Sequence, residues 1–219
     1  DKANRTSHNS IRGLGLGEGL KIFQELKAQF DVPILTDVHQ PAQCQLVAPH
    51  VDILQIPAFL CRQTDLILAA GETNKIVNIK KGQFLSANEM LQVAEKFQST
   101  GNNQVILTER GTSFGYNDLI CDMRSLETLK KNGFPVILDA THSIQKPGGQ
   151  GSKSGGQREF IEPLARAGTS LGLAGLFIET HEKPERAPSD GESMLQLKNL
   201  EPLLEKVIAI DRTVKSFDQ

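Results

Sequence analysis

The stretch Gln104–Gly111, QVILTERG, decides how this chain is read. Its first half is aliphatic at consecutive positions, Val105, Ile106 and Leu107, so both faces of an extended strand are apolar. That is the pattern of a parallel strand covered on both sides. Its second half ends on Glu109 and Arg110. The same pattern recurs in Pro33–His39 (PILTDVH), Asp52–Pro57 (DILQIP), Ile76–Lys81 (IVNIKK), Pro135–His142 (PVILDATH) and Gly175–His181 (GLFIETH). These runs finish on Asp37, His39, Gln55, Lys80, Asp139, His142, Glu179 and His181. An unpaired buried charge costs several kcal/mol, so packing alone does not put charged or amide-bearing groups at the same end of every strand. A (β/α) barrel whose chemistry sits at the carboxyl ends of its strands does, and it marks the chain as an enzyme.

Helical periods separate these strands. Gly17–Phe30 carries Leu20, Phe23, Leu26 and Phe30 at spacings of three and four. Thr64–Ala70 opens on a Thr–Asp pair, and Ala87–Gln98 repeats the apolar stripe with Met90, Leu91, Ala94 and Phe97. Met123–Lys131 stops before Asn132-Gly133, a C-cap signature, and Arg158–Leu171 and Leu195–Phe217 close the set. Strand–helix alternation of this kind predicts an α/β fold, a (β/α)8 TIM barrel. The polar Asp1–Ser10 begins as the end of a further strand would, so the expectation is one domain over 1–219, N-terminally incomplete. The first one or two strands, about 40–60 residues at typical barrel lengths, would then lie upstream.

Composition excludes several classes. Lys plus Arg (24) nearly balance Asp plus Glu (26), for a net charge of −2, so no basic excess draws the chain to nucleic acid. No apolar run reaches the roughly 18–20 residues of a membrane span. Cys44, Cys61 and Cys121 have no CxxC spacing, which favours a reducing cytoplasm and small buried thiols over disulfides or a zinc ribbon. Three loops are long and polar or glycine-rich: Thr6–Gly19, Ser143–Gly156 and Thr180–Leu195. All follow strand carboxyl ends, where a barrel keeps its active site and its lids. Ser143–Gly156 is too rich in Gly, Lys and Ser for a packed element.

Lys2, Arg5, Arg62, Lys80, Lys81 and Arg110 fall near strand ends, and cations gathered there suit a phosphate or carboxylate. Period two puts Asn78 and Lys80 on one face, and Asp37 and His39 on one face. His142, Glu179 and Asp190 offer one imidazole and two carboxylates from different strands or the loops beyond them. Such a set either binds a divalent metal or does acid–base work, and spacing does not decide which.

The segments DKANRTS (1–7), LTDVH (35–39), QIPAFLCRQTDL (55–66), NIKKGQF (78–84), LTERGTSFGYNDL (107–119), DATHS (139–143) and GLFIETH (175–181) resemble the 3-deoxy-manno-octulosonate-8-phosphate synthase family. The likeness covers essentially the whole chain, in order. It implies a TIM barrel that condenses phosphoenolpyruvate with arabinose 5-phosphate for lipopolysaccharide assembly. It places Lys2, Lys80, Arg110 and His142 on phosphoenolpyruvate, with Gln55 and the Ala58 backbone nearby, and Asn4, Arg5 and Thr6 on the pentose phosphate. Arg62 matches an arginine given across a subunit interface of a homo-oligomer, a tetramer, and Asp37 lies beside the sugar. Lys80, His142, Asp37 and Asp190 are thereby the catalytic candidates. His142, Glu179 and Asp190 match three of four metal positions.

The fourth metal position, Cys or Asn, lies upstream and separates metal-requiring from metal-independent forms, since a thiolate completes a transition-metal site and an amide does so poorly. The contexts around His142 and Asp190 look more like the metal-requiring forms, with manganese, iron, cobalt or zinc, and no organic cofactor is implied. The sister synthase that uses erythrose 4-phosphate typically carries Lys-Pro-Arg-Thr where this chain has Lys2-Ala3-Asn4-Arg5. A retired barrel that only binds a phosphosugar would most simply have lost one of Lys80, Arg110, His142 or Glu179.

Overall fold

The computed structural model describes residues 7–147 and 155–217. The chain forms two compact units, 11–107 and 108–217, with residues 7–10 grouped in the second, and the main division falls between Leu107 and Thr108, inside one strand. Parallel strands joined by helices fill the first unit, and a parallel strand pair backed by helices stands in the second. This mixed α/β architecture is consistent with a TIM-like fold.

In the first unit the order is α1 (Leu16–Phe30), β1 (Leu35–Asp37), α2 (Pro41–Val47), β2 (Ile53–Ile56), α3 (Thr64–Gly71), β3 (Ile76–Lys80), α4 (Ala87–Gln98) and the start of β4 (Val105–Glu109). β1 pairs with β2 and β2 with β3, all parallel, with Asp37 opposite Gln55 and Gln55 opposite Asn78. β4 lies beside β3. Leu54, Ile56, Val77, Ile79, Leu107, Met90, Ala94 and Phe97 are buried between strands and helices. Each large side chain contributes about 1.5–3 kcal/mol of hydrophobic stabilisation there. α4 starts where a capping box forces it to: Ser86 Oγ accepts from Glu89 N, and Glu89 Oε2 accepts from Ser86 N.

α2 is a helix that the sequence pattern does not announce. It lacks a Ser/Thr cap and instead uses Gln43 Oε1 as acceptor for Gln40 N, with Pro41 in the first turn. α1 lies over its predicted span, yet its stripe Leu20, Phe23 and Leu26 is only half-buried and Phe30 is exposed. Lys81 departs from the reading as an anion-binding cation. It is fully buried, and its Nζ donates to the Gly82 and Leu85 carbonyls, fixing the turn into α4.

The second unit holds the end of β4, α5 (Met123–Lys131), β5 (Val136–Asp139), α6 (Ile161–Thr169), β6 (Gly175–Phe177) and α7 (Leu200–Lys215). β5 and β6 run parallel with Asp139 opposite Phe177. Ala140, Ile144, Ile161, Ala165, Leu195, Leu203 and Val207 form its core. Two predicted helices are shorter than their apolar periods suggest. Arg158–Phe160 is a 3-10 turn before α6, and Leu195–Gln196 pairs in parallel with Thr180–His181 before α7 begins.

The glycine-rich segment also corrects its expectation at both ends. Ser143–Gln145 is buried, and Gln145–Lys146 pairs antiparallel with Gly155–Gly156. Backbone pairing supplies the order that composition alone argues against. The residues between lie outside the described set.

Cys44 and Cys61 are small buried groups, and Cys121 is half-buried. Burial pushes the Cys44 thiol up to about 11 and raises that of Cys61, so both stay protonated near neutral pH. Among the described residues no helix is long and apolar enough to cross a membrane.

Candidate active site

In the first unit, the strand ends build a chain of amides that stops on a carboxylate. Asn78 Nδ2 donates to Gln55 Oε1 at 2.7 Å, and Gln55 Nε2 donates to Asp37 Oδ1 at 2.7 Å. Register explains it, because Asn78, Gln55 and Asp37 are cross-strand partners on three adjacent parallel strands. Asn78 and Gln55 are buried, so each amide is held in one orientation and the carboxylate with them. Lys80, two residues beyond Asn78, is buried at the end of β3. His39 has both ring nitrogens buried without a hydrogen-bond partner, and desolvation lowers its pKa against the pull of Asp37. Ala58 is buried in the 3-10 turn after β2, and Arg62 is exposed just before α3.

In the second unit the centre is Asp139, which is completely buried. Its Oδ1 accepts from Thr141 N, Thr141 Oγ1 and His142 N, at 3.2, 3.0 and 2.8 Å. Its Oδ2 lies 2.7 Å from His142 Nδ1. A carboxylate so loaded with donors is ionised and can only accept, so His142 carries its proton on Nδ1 and presents a lone pair at Nε2. That lone pair points at another acceptor, Glu179 Oε2, 3.2 Å away and buried without a hydrogen-bond partner. Two acceptors face to face need a cation or a proton between them. Asp190 completes the group, and ligand atoms of His142, Glu179 and Asp190 lie within 4.8 Å of one another. One imidazole nitrogen and two carboxylate oxygens, with a carboxylate behind the imidazole, fit a divalent metal.

Asp190 is held by its backbone. Its φ of 56° is left-handed, which Asp tolerates better than most residues, and a Cβ on the following Gly191 would run into the Pro184 carbonyl. Arg158 Nη2 donates to Gly191 O at 2.6 Å and pins the same turn.

Arg110 is buried at the end of β4. Its Nη2 donates to Gln145 Oε1 at 2.9 Å, and its Nη1 is buried with no hydrogen-bond partner. Burial pushes its pKa down while Asp139, Glu109 and Asp190 pull the other way, and a guanidinium stays charged throughout. A buried cation with an open donor is suited to an anion.

These two clusters sit on a chain that matches the DAHP synthetase I family over residues 1–216. The chain belongs to that family. Proteins from Brucella ovis, Brucella melitensis biotype 1 and Brucella suis biovar 1, each named 2-dehydro-3-deoxyphosphooctonate aldolase, are 56% identical to it over 217 residues. The alignment takes in 99% of this chain and 78% of each relative. The Brucella abortus (strain 2308) protein of the same name matches equally in identity and extent.

Of the residues singled out in the sequence, Asp37 and Gln55 come together in the first unit, and Arg110, His142, Glu179 and Asp190 gather around Asp139 and Gln145 in the second. Lys2, Asn4, Arg5 and Thr6 lie outside the described residues. Sequence reasoning gave no role to Asp139, although its place three residues before His142 at a strand end was a usable signal. Gln145 had no signal at all, since it sits in a segment whose composition reads as a loop.

Proposed function

We propose that this chain condenses phosphoenolpyruvate with D-arabinose 5-phosphate and water to 3-deoxy-D-manno-octulosonate 8-phosphate and inorganic phosphate, a transferase step in lipopolysaccharide synthesis. The observation that carries the reading is 56% identity, across 99% of the chain, to relatives named for a phosphooctonate. Carbon 3 of the enol bonds to the aldehyde carbon, whose oxygen takes up a proton. Water bonds to carbon 2 and loses a proton. The resulting hemiketal breaks its bond from carbon 2 to the phosphate oxygen, and its hydroxyl proton passes to the departing phosphate, leaving the ketone.

Lys80 and Arg110 are read as cations for phosphoenolpyruvate, supported by their burial at strand ends and by the open Nη1 of Arg110. Gln55 and the Ala58 backbone stand near the same substrate. Asp37, turned by the Asn78–Gln55 amides, is read as orienting the sugar, Lys2 as a further cation for phosphoenolpyruvate, and Asn4, Arg5 and Thr6 as binding the pentose phosphate. Holding two phosphorylated reactants in register can supply about 7–11 kcal/mol of the barrier lowering.

His142, Glu179 and Asp190 would hold a divalent ion, manganese, iron, cobalt or zinc, which when bound supplies Lewis-acid polarisation beside the reacting water. Asp139 keeps the His142 proton on Nδ1 whatever stands at Nε2. Without an ion, the same three side chains orient the sugar and move protons.

The wider reading is a single eight-stranded barrel domain, cytoplasmic and tetrameric. Arg62 would reach a neighbouring subunit's pentose phosphate, and the exposed Phe59 and Phe84 support a subunit contact on the same unit. Full-length protein given phosphoenolpyruvate and either arabinose 5-phosphate or erythrose 4-phosphate tests the function. Phosphate release with the pentose phosphate, and an eight-carbon product by mass, is the expected result. Release only with erythrose 4-phosphate assigns the sister reaction, and binding without release assigns a non-catalytic barrel.

A further inference from the structure

The side chain of Gln145 is buried, and both ends of its amide are in use. Its Oε1 accepts from Arg110 Nη2 at 2.9 Å, and its Nε2 donates to Asp190 Oδ1 at 2.9 Å. One amide therefore spans from the guanidinium read as a phosphoenolpyruvate ligand to a carboxylate read as a metal ligand. No charged residue could do this: a carboxylate would repel Asp190, and an ammonium or guanidinium would repel Arg110. The backbone of Gln145 is fixed as well, by its antiparallel pairing to Gly156 and by the Gln157 N–H donating to the Ile144 carbonyl. The far end of the span is fixed independently through Arg158 and the left-handed turn at Asp190.

We infer that Gln145 is a positioning residue that couples the anion site at Arg110 to the metal site at Asp190. It holds the Asp190 carboxylate by Oδ1, and it leaves Arg110 Nη1 as the donor for substrate. A pull on Arg110 by a bound phosphate or carboxylate is transmitted to Asp190 through one rigid amide, and a cation at Asp190 is felt at Arg110 in return. The inference rests on the proposed function and adds to it a link between its two sites.

The test is equilibrium Mn2+ binding to the metal-free full-length protein, by calorimetry, with and without phosphoenolpyruvate. The wild type is compared with Gln145→Leu and with Gln145→Asn. The Asn variant keeps the amide, one methylene too short to reach both partners, and covers the case in which Leu impairs folding. Both variants should bind Mn2+ roughly 10–100-fold more weakly, the usual cost of losing a partner behind a metal ligand. The effect of phosphoenolpyruvate on Mn2+ affinity should shrink towards none, while the KM for the pentose phosphate stays within about twofold. A merely structural role would not remove that linkage in a variant that keeps the wild-type Tm.

Wild-type Mn2+ affinity and linkage in a folded variant overturn the inference and leave the proposed reaction standing. Wild-type protein that takes up no Mn2+ overturns the metal reading and this inference together. The reaction itself is judged separately by phosphate release.

Discussion

The two polar clusters are built on opposite principles. At the ends of β1–β3, donors and acceptors meet in sequence: Asn78 gives to Gln55, Gln55 gives to Asp37, and each bond is 2.7 Å. Around Asp139 the count does not balance. Asp139 is saturated with donors, but the imidazole it orients faces Glu179 Oε2, an acceptor without a hydrogen-bond partner. The first cluster is a finished frame that can orient an uncharged hydroxyl or carbonyl. The second is completed by a positive charge from outside, a metal ion or a proton. Buried polar groups are ordinarily satisfied, so an unsatisfied acceptor such as Glu179 Oε2, 3.2 Å from the His142 imidazole, is a place for a cation.

The largest expected effects come from the incomplete cluster. Glu179→Gln should lower turnover by about 10²–10³-fold and abolish tight Mn2+ binding, because it removes the charge that calls for a cation. Asp37→Asn, in the completed frame, should cost only about tenfold, since an amide can still accept from Gln55 and still orient a sugar hydroxyl. Exhaustive chelation followed by elemental analysis and add-back of manganese, iron, cobalt or zinc gives the companion measurement. Equal losses from the two substitutions, or full turnover with no metal detected, would erase the distinction drawn between the clusters.

Neighbouring lysines sharpen the contrast at somewhat smaller scale. Lys80→Ala should reduce kcat/KM by about 10²-fold with a Tm within a few degrees of wild type, as expected for a cation whose purpose is a substrate anion. Lys81→Met should do the reverse. It removes the ammonium that donates to the Leu85 carbonyl and adds a second donor to the Gly82 carbonyl, and costs about 1–3 kcal/mol of stability, with turnover changed by no more than a few-fold. Parallel assays and melts of both variants decide it; a Lys80 variant with normal turnover would remove that residue from the site.

Much of this was legible in the sequence, for a definite reason. The aliphatic runs and their polar ends are strand-period signals, so β1 to β6 fall inside their predicted stretches and the residues at their ends are readable from the sequence. Metal-ligating convergence was named without being derivable, since His142, Glu179 and Asp190 are brought together only by tertiary structure. Three things were illegible. α2 is capped by a Gln pair that carries little propensity signal. Lys81 and Lys80 look alike in sequence, and only the alternation of the strand and the turn after it sends them to different fates. Gln145 lies in a glycine-rich run whose order comes from pairing with Gly156, a contact between residues 11 apart that no local pattern encodes.

The smallest effect probes the exception in the finished frame. His39 stands two residues beyond Asp37, yet both its ring nitrogens are buried without a hydrogen-bond partner. Desolvation lowers its pKa below 6.5, with Arg12 pushing the same way and Asp37 opposing. The folded protein therefore resists protonating His39 at a pH where the unfolded chain accepts the proton. Stability linked to this group is fully present above about pH 6.5 and declines as the pH falls below it, levelling off beneath the folded pKa. His39→Gln, which cannot titrate, should flatten the dependence of Tm on pH between 7 and 5 relative to wild type, with little change at pH 8. Thermal melts at matched ionic strength across that range measure the difference. Superimposable slopes would mean that His39 protonates as readily folded as unfolded. The frame at β1 would then be open to water, and no longer a closed counterpart to the cluster at Asp139.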